Sequence, residues 1–158
     1  FVRIADELGL PQIVSTQNAY NLLNRTFETG MSEICFREHI GLLAYSPLGF
    51  GHLTGKYLDN PQSSGRLTQW PSFGLRYAKP NVTAAVSAYA ELAHQYQLSP
   101  TQLALGFVHS RWFVSSTIIG ASSLQQLKET LPATRTPISD ELLGKINEIH
   151  LRYTNPAP

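Results

Sequence analysis

Apolar positions along the chain change period several times, and each change marks an element. Phe1, Ile4, Ala5 and Leu8 follow the i, i+3, i+4, i+7 spacing of one helix face, and Gly9 suits the position just past a helix end. Leu10-Pro11 then turns the chain into Ile13-Val14-Ser15-Thr16-Gln17, whose β-branched residues predict a strand. A helix is predicted over about 27–39, with Met31, Ile34 and Cys35 on one face, although Gly30 weakens it. Gly41 closes that helix and opens Leu42-Leu43-Ala44-Tyr45, a continuous apolar run of the kind buried on both faces of a parallel sheet.

The segment from Ser46 to Asn81 is rich in Gly, Pro, Ser and Asn and shows no period, which predicts a functional or disordered connection. Ala85, Ala88, Tyr89 and Leu92 then mark a helix over about 83–97. Ser99-Pro100-Thr101-Gln102 supplies an N-cap, a proline at N1 and a capping-box glutamine, starting another helix that runs to about Ser110. A third strand is predicted from Phe113 to Ile119, closed by Gly120-Ala121-Ser122-Ser123. Helices over about 124–131 and from Ser139 onward follow, the last with Leu142, Leu143, Ile146 and Ile149 as its buried stripe; Tyr153 to Pro158 is expected to be irregular. Strands alternating with helices predict βαβ units and a parallel sheet. Three strands are less than half of an eight-stranded (β/α) barrel, which takes about 250 residues. With a first residue that falls inside a helical pattern, the expectation is a part of one such barrel domain across residues 1–158, with no second domain.

Composition changes this picture little. An apolar fraction of 42% and a charged fraction of 15% belong to a globular chain rather than a disordered one. A net charge of +1 without a basic run gives no reason to expect a nucleic-acid partner, and no apolar stretch suggests a membrane span. The single cysteine, Cys35, excludes an intramolecular disulfide framework, so a cytoplasmic location is expected. His39, His94, His109 and His150 fall on or beside helices as surface or packing residues. His52 lies in the long segment with no evident partner, so no metal site is expected.

In a (β/α) barrel the chemistry sits at the C-terminal ends of the strands. Those ends are Gln17-Asn18, Tyr45-Ser46-Pro47-Leu48-Gly49 and Gly120-Ala121-Ser122-Ser123. Singly each has a bland alternative: Gln17 could satisfy nearby backbone, and Ser122-Ser123 could cap a helix. Asn18, Tyr20 and Asn21 could face substrate or be purely structural. Gly49-Phe50-Gly51 is no dinucleotide glycine motif, because its last glycine is missing and no helix opens there. Gly55-Lys56 is no Walker loop, because Phe50 and Tyr57 occupy positions that need Gly and Ser or Thr.

The segments Ile13–Arg25, Leu43–Gly49, Leu53-Thr-Gly-Lys-Tyr57 and Ile118-Ile-Gly-Ala-Ser-Ser123 resemble the aldo-keto reductase superfamily. The resemblance is strongest to its Tas-like bacterial members and extends to the potassium-channel β subunits. It runs through the whole chain in order, and it implies a partial (β/α)8 barrel containing strands six to eight.

The resemblance further implies an NADP(H) site. Gln17 is similar to the glutamine that bonds the nicotinamide carboxamide, and Tyr45 to the aromatic residue on which the nicotinamide ring stacks. Ser46, Pro47, Leu48, Gly49 and Phe50 resemble the loop along the pyrophosphate and ribose, while Lys56 and Arg66 resemble a cofactor-binding lysine and arginine. Gly120, Ser122, Gln126 and Glu129 resemble the residues around the adenosine end. Thr130 departs from the pattern, where an asparagine often reads adenine. The family's catalytic Asp, Tyr, Lys and His would precede Phe1, so no catalytic residue is expected here. The implied whole protein is an NADP(H)-dependent oxidoreductase of a small-molecule aldehyde or ketone. The alternatives are a non-catalytic NADP(H)-binding regulatory module and an inactive truncated product. Completion by the missing half of the barrel, or pairing with a second copy, is the expected way to cover the exposed inner face.

Overall fold

The computed structural model describes the backbone of all 158 residues and every side chain except those of Asp59, Arg66, Pro71 and Phe73. The three strands are β1 (Ser15–Ala19), β2 (Gly41–Tyr45) and β3 (Val114–Thr117). They form one sheet in the order β1-β2-β3, and both pairings are parallel. This is the arc of sequentially ordered strands that a (β/α)8 barrel requires. Helix α1 (Val2–Glu7) precedes β1 and α2 (Met31–Arg37) joins β1 to β2. Between β2 and β3 lie α3 (Lys56–Asp59), α4 (Arg66–Gln69), α5 (Pro80–Gln95) and α6 (Pro100–His109); α7 (Leu124–Ala133) and α8 (Asp140–Arg152) follow β3.

Several expectations are corrected, and the first strand, expected over 13–17, runs two residues later as Ser15–Ala19, which leaves Gln17 at its middle. The helix over 27–39 is interrupted: Thr26–Glu28 is a separate 3-10 turn, and Gly30 at φ +88° breaks the path before Met31. Its buried face is Ser32 and Cys35, whereas Met31 and Ile34 are exposed. The long segment is not structureless either. It holds 3-10 turns at Gly49–Thr54 and Pro71–Tyr77 as well as α3 and α4. Elements of about one turn bury too little for an 11–18-residue periodicity window to register.

The longer helices start where local chemistry directs. Ser99 Oγ accepts from the Gln102 amide at 3.1 Å while Gln102 Oε1 accepts from the Ser99 amide at 2.8 Å, completing the capping box. Ser123 and Ser139 cap α7 and α8 in the simpler way, each accepting from the amide three residues on. The core lies between the sheet and α5, α6 and α8, and it contains Leu42, Ala44, Ala85, Tyr89, Leu103, Phe107, Leu142 and Ile146.

The two sheet faces are covered unequally, although Ala19 is buried on the same face as Tyr45. Leu42 and Ala44 are fully buried, but Leu43 and Tyr45, on the opposite face, are half-buried, and the register sets Gln17 and Ser116 beside Leu43. The apolar run of β2 therefore does not indicate burial on both faces. Apolar side chains are also exposed at both flanks: Ile4, Leu8, Ile13 and Val14 beside β1, and Ile118, Leu124, Leu127 and Leu131 beside β3.

A buried polar web holds the C-terminal tail to the chain after β1. The Arg25 guanidinium pairs with Glu28 through two 2.8 Å bonds, donates to Asn147 Oδ1 at 2.9 Å and lies 5.1 Å from the Phe107 ring centroid. The Arg25 amide donates to Asn155 Oδ1 at 2.7 Å, and the Ala157 amide to the Leu23 carbonyl at 3.0 Å. The Tyr20 hydroxyl donates to Glu28. Irregular in backbone, the tail is nonetheless docked, and Ala157 is fully buried. Burial pushes the Glu28 carboxyl up, but the hydrogen bonds from Arg25 and Tyr20 and the Arg25 charge outweigh it, so its pKa lies below the ordinary value.

Two predictions follow from this packing. β3 carries one extra residue, Ser115, where the register shifts between Leu42 and Leu43, and it closes over Gly41. A Cβ at Gly41 would stand 1.8 Å from Ser115 Oγ and 2.7 Å from its Cβ. Gly41→Ala should lower stability by roughly 1–3 kcal/mol, and adding Ser115→Gly should restore most of it; urea midpoints of the full-length variants measure both. Because the folded-state pKa of Glu28 is depressed, its contribution is complete above the ordinary carboxylate range and is lost as pH falls through the lower folded value. Glu28→Gln should cost up to about 3 kcal/mol near neutrality by leaving Arg25 unpaired. It should also flatten the acid limb of stability against pH, as read from denaturation midpoints across an acid pH series.

Candidate functional site

Parallel pairing sends the C-terminal ends of all three strands to one rim. Tyr45 is in register with Ala19, Gln17 lies two residues earlier on the same face, and the ladder extends beyond β3 through the Ile118 amide, which donates to the Ala44 carbonyl at 2.8 Å. Gln17 is exposed and Tyr45 half-buried beside the buried Ala19, so an amide and a flat aromatic ring lie on the same face of the sheet.

The chain after Tyr45 is tightly coiled. Ser46 (φ +54°), Gly49 (+53°), Phe50 (+54°) and Gly51 (+92°) are left-handed, and two of the four have side chains. The turn closes through the Gly49 amide to the Ser46 carbonyl at 2.9 Å and the Gly51 amide to the Leu48 carbonyl at 2.9 Å. Pro47 and Gly49 are buried; Ser46, Leu48 and Phe50 are half-exposed.

Lys56 opens α3 and turns back within its own segment: Nζ donates to the Ser64 carbonyl at 3.1 Å and lies 4.8 Å from the Tyr57 ring centroid. Gly65 makes room for it, since a Cβ there would come within 2.4 Å of Lys56 Nζ. Arg66 begins α4, and its side chain lies outside the described residues. His52 packs against the Tyr57 and Tyr77 rings, both at 5.5 Å, and burial lowers its pKa. A cavity of about 520 Å³ opens between this segment and α5, lined by residues that include His52, Tyr57, Leu58 and Val86. Its described lining includes Tyr57 and Leu67, the chain neighbours of Lys56 and Arg66.

At the third strand end, Gly120, Ser122, Gln126 and Glu129 are all exposed. Gln126 Oε1 accepts from the Ser122 amide at 2.8 Å and from its hydroxyl at 3.0 Å, which folds the loop onto the first turn of α7. The Gln126 amide hydrogens stay available to an acceptor. Thr130 is buried and its hydroxyl donates to the Gln126 carbonyl at 2.8 Å, so it reads nothing at the rim.

The residues left open resolve differently. Asn18 is half-exposed, in register with the buried Ala44. Tyr20 and Asn21 are fully buried and cannot face substrate. Burial and the neighbouring Glu28 push the Tyr20 phenol far up, and its hydroxyl is spent on Glu28. Tyr77 carries no local signal at all. It lies in the aperiodic segment, yet it is 2% exposed and packs against Gly49 and Phe50. Among the described residues no group of three His, Cys, Asp or Glu could hold a metal ion, and no helix is long and apolar enough to cross a membrane.

Comparison with known proteins agrees with this arrangement. The chain is 42% identical over its full length to Protein tas of Escherichia coli (strain K12), covering 46% of that protein. It is 38% identical to an aldo-keto reductase of Babesia bovis, with 99% of the chain aligned to 58% of the relative. It is 34% identical to a putative voltage-gated potassium channel subunit beta of Schizosaccharomyces pombe, with 96% of the chain aligned to 46% of the relative. The chain thus spans about half the length of the curated relatives it matches. The sequence profile of the aldo/keto reductase family matches residues 2–151; with three parallel strands presenting their C-terminal ends at one rim, this chain belongs to the aldo/keto reductase family.

Proposed function

We propose that the whole protein reduces aldehyde or ketone carbonyls of small molecules with NADP(H), and that this chain, as the C-terminal portion of its barrel, supplies much of the cofactor site. The observation that carries the reading is the placement of Tyr45 and Gln17 on the less covered sheet face, with Tyr45 at the C-terminal rim. The bound nicotinamide would supply the hydride. Tyr45 offers one flat face for the ring, and the Gln17 amide offers both a donor and an acceptor to the ring carboxamide. Ser46, Pro47, Leu48, Gly49 and Phe50 form the turn beside the pyrophosphate and ribose. Lys56 and Arg66 meet the phosphate charge, for which Lys56 would leave the Ser64 carbonyl. Gly120, Ser122, Gln126 and Glu129 hold the adenosine end, where the first-turn amides and dipole of α7 favour an anion.

The chemistry of the donor set suits this group, since it offers an amide, an aromatic face, a cation and a helix N-terminus. The proton donor and its partners belong to the remainder of the barrel. This assignment also gives the exposed flanks beside β1 and β3 their cover, and it fits a cytoplasmic protein. The family supports turnover over mere nucleotide holding, and single-turnover oxidation of bound NADPH by an aldehyde in the full-length protein distinguishes the two.

In the full-length protein, Tyr45→Ala should weaken NADP(H) binding by roughly 1–3 kcal/mol, from lost stacking and buried area. Tyr45→Phe or Tyr45→Trp should cost much less. Fluorescence titration reads this, and an unchanged dissociation constant for Tyr45→Ala would make the ring mere packing. Lys56→Met should weaken NADP(H) binding while leaving the unfolding midpoint nearly unchanged, because a half-exposed lysine adds little to folding. Equal affinities for the variant and parent would remove the phosphate assignment and leave the stack standing.

A further inference from the structure

We propose that Asn21 and Tyr77 act as positioning residues for the Ser46–Phe50 turn, clasping it in its binding shape before any cofactor arrives. The proposal rests on the reading of that turn as part of the NADP(H) site, but neither residue is assigned a contact with the cofactor.

The clasp has two halves. Asn21 sits in the tight turn after β1, where its backbone exchanges hydrogen bonds with Asn24 at 3.1 and 3.0 Å. Its side chain is fully buried and its amide is spent. Nδ2 donates to the Ser46 carbonyl at 2.9 Å and to Tyr77 Oη at 3.3 Å, while Oδ1 accepts from the Leu23 amide at 2.9 Å. The Ser46 carbonyl also accepts from the Gly49 amide, so Asn21 takes the second of its two acceptor positions.

Tyr77 forms the other half. It ends the long segment and returns to its start: Phe50 meets its ring edge-on at 5.2 Å. A Cβ at Gly49 would lie 3.1 Å from Tyr77 Cε1 and 3.4 Å from Leu23 Cδ1, so a side chain there would crowd the clasp against the turn.

The turn needs such support. Ser46 and Phe50 hold left-handed backbone at φ +54° each, a conformation that residues with side chains keep only when their surroundings impose it. Without the clasp the turn would sample other shapes, and the apparent affinity would fall by the fraction of molecules still competent. Asn21 and Tyr77 are 56 residues apart, so the bond between them also ties the far end of the long segment to the chain after β1.

The test uses the full-length protein and two readouts. NADPH affinity is measured by fluorescence titration for Asn21→Ala, for Tyr77→Phe, which removes one hydroxyl and keeps the ring, and for Asn21→Ala combined with Ser46→Gly. Asn21→Ala should weaken binding about tenfold if the competent fraction falls to about a tenth. Adding Ser46→Gly should recover part of that, since glycine accepts the positive φ unaided, a rescue that simple loss of stability would not give. Amide hydrogen exchange without cofactor should speed up at Gly49, Gly51 and Leu53 in both single variants while the amides of α6 keep their protection. Unchanged exchange at these three amides in folded Asn21→Ala overturns the clasp. So does an unchanged affinity in a parent that binds NADPH. If Asn21→Ala does not fold, Tyr77→Phe decides by the same two criteria. A parent that binds no NADPH defeats the functional reading instead, and the exchange measurement still decides the clasp.

Discussion

The hydrogen bonds that β2 makes on both edges, parallel to β1 and to β3, are the constraint on which the rest depends. Parallel strands cannot be joined by tight turns, so each connection must cross back over the sheet, and those crossings supply the helices that bury Leu42 and Ala44. The same rule delivers all three strand ends, Ala19, Tyr45 and Thr117, to one rim, however distant they are in sequence. A single extra residue in β3 adjusts the arc, and Gly41 exists in that register because Ser115 occupies the space a side chain would need.

Behind the rim, polar groups are buried in deliberate pairs. Arg25 reaches Glu28, Asn147 and the Phe107 ring, and its amide holds Asn155. An unpaired guanidinium there would be expensive, so the web works only as a whole. It joins the segment after β1 to α8 and the tail. Asn21, four residues before Arg25, carries that rigidity forward to the Ser46 carbonyl. The rim is thus held from behind by residues that never reach it.

The other sheet face and both flanks remain partly open. Leu43 and Tyr45 are half-exposed, and α7 presents Leu124, Leu127 and Leu131 to solvent. Apolar surface distributed this way suits contact with further elements on that face and at both flanks. The family membership and the half-length match to relatives fit that geometry.

Local physics made much of this legible. The capping box at Ser99, the cap at Ser139, the β-branched and apolar runs and the parallel α/β order are all consequences of nearest neighbours, and sequence by itself determined them. Tyr45 was legible as a strand end because it closes an apolar run, whereas Gln17, expected at the end of its strand, lies in the middle of β1. What only tertiary structure decided depends on partners far along the chain. The role of Asn21 rests on Ser46 and Tyr77, 25 and 56 residues away. Met31 and Ile34 follow a helical pattern yet face solvent, because Gly30 resets the helix phase and Cys35 alone of that face meets the core. The apolar run of β2 marks a strand but not which of its faces is covered, since period and composition describe a segment, and burial is settled by what packs against it.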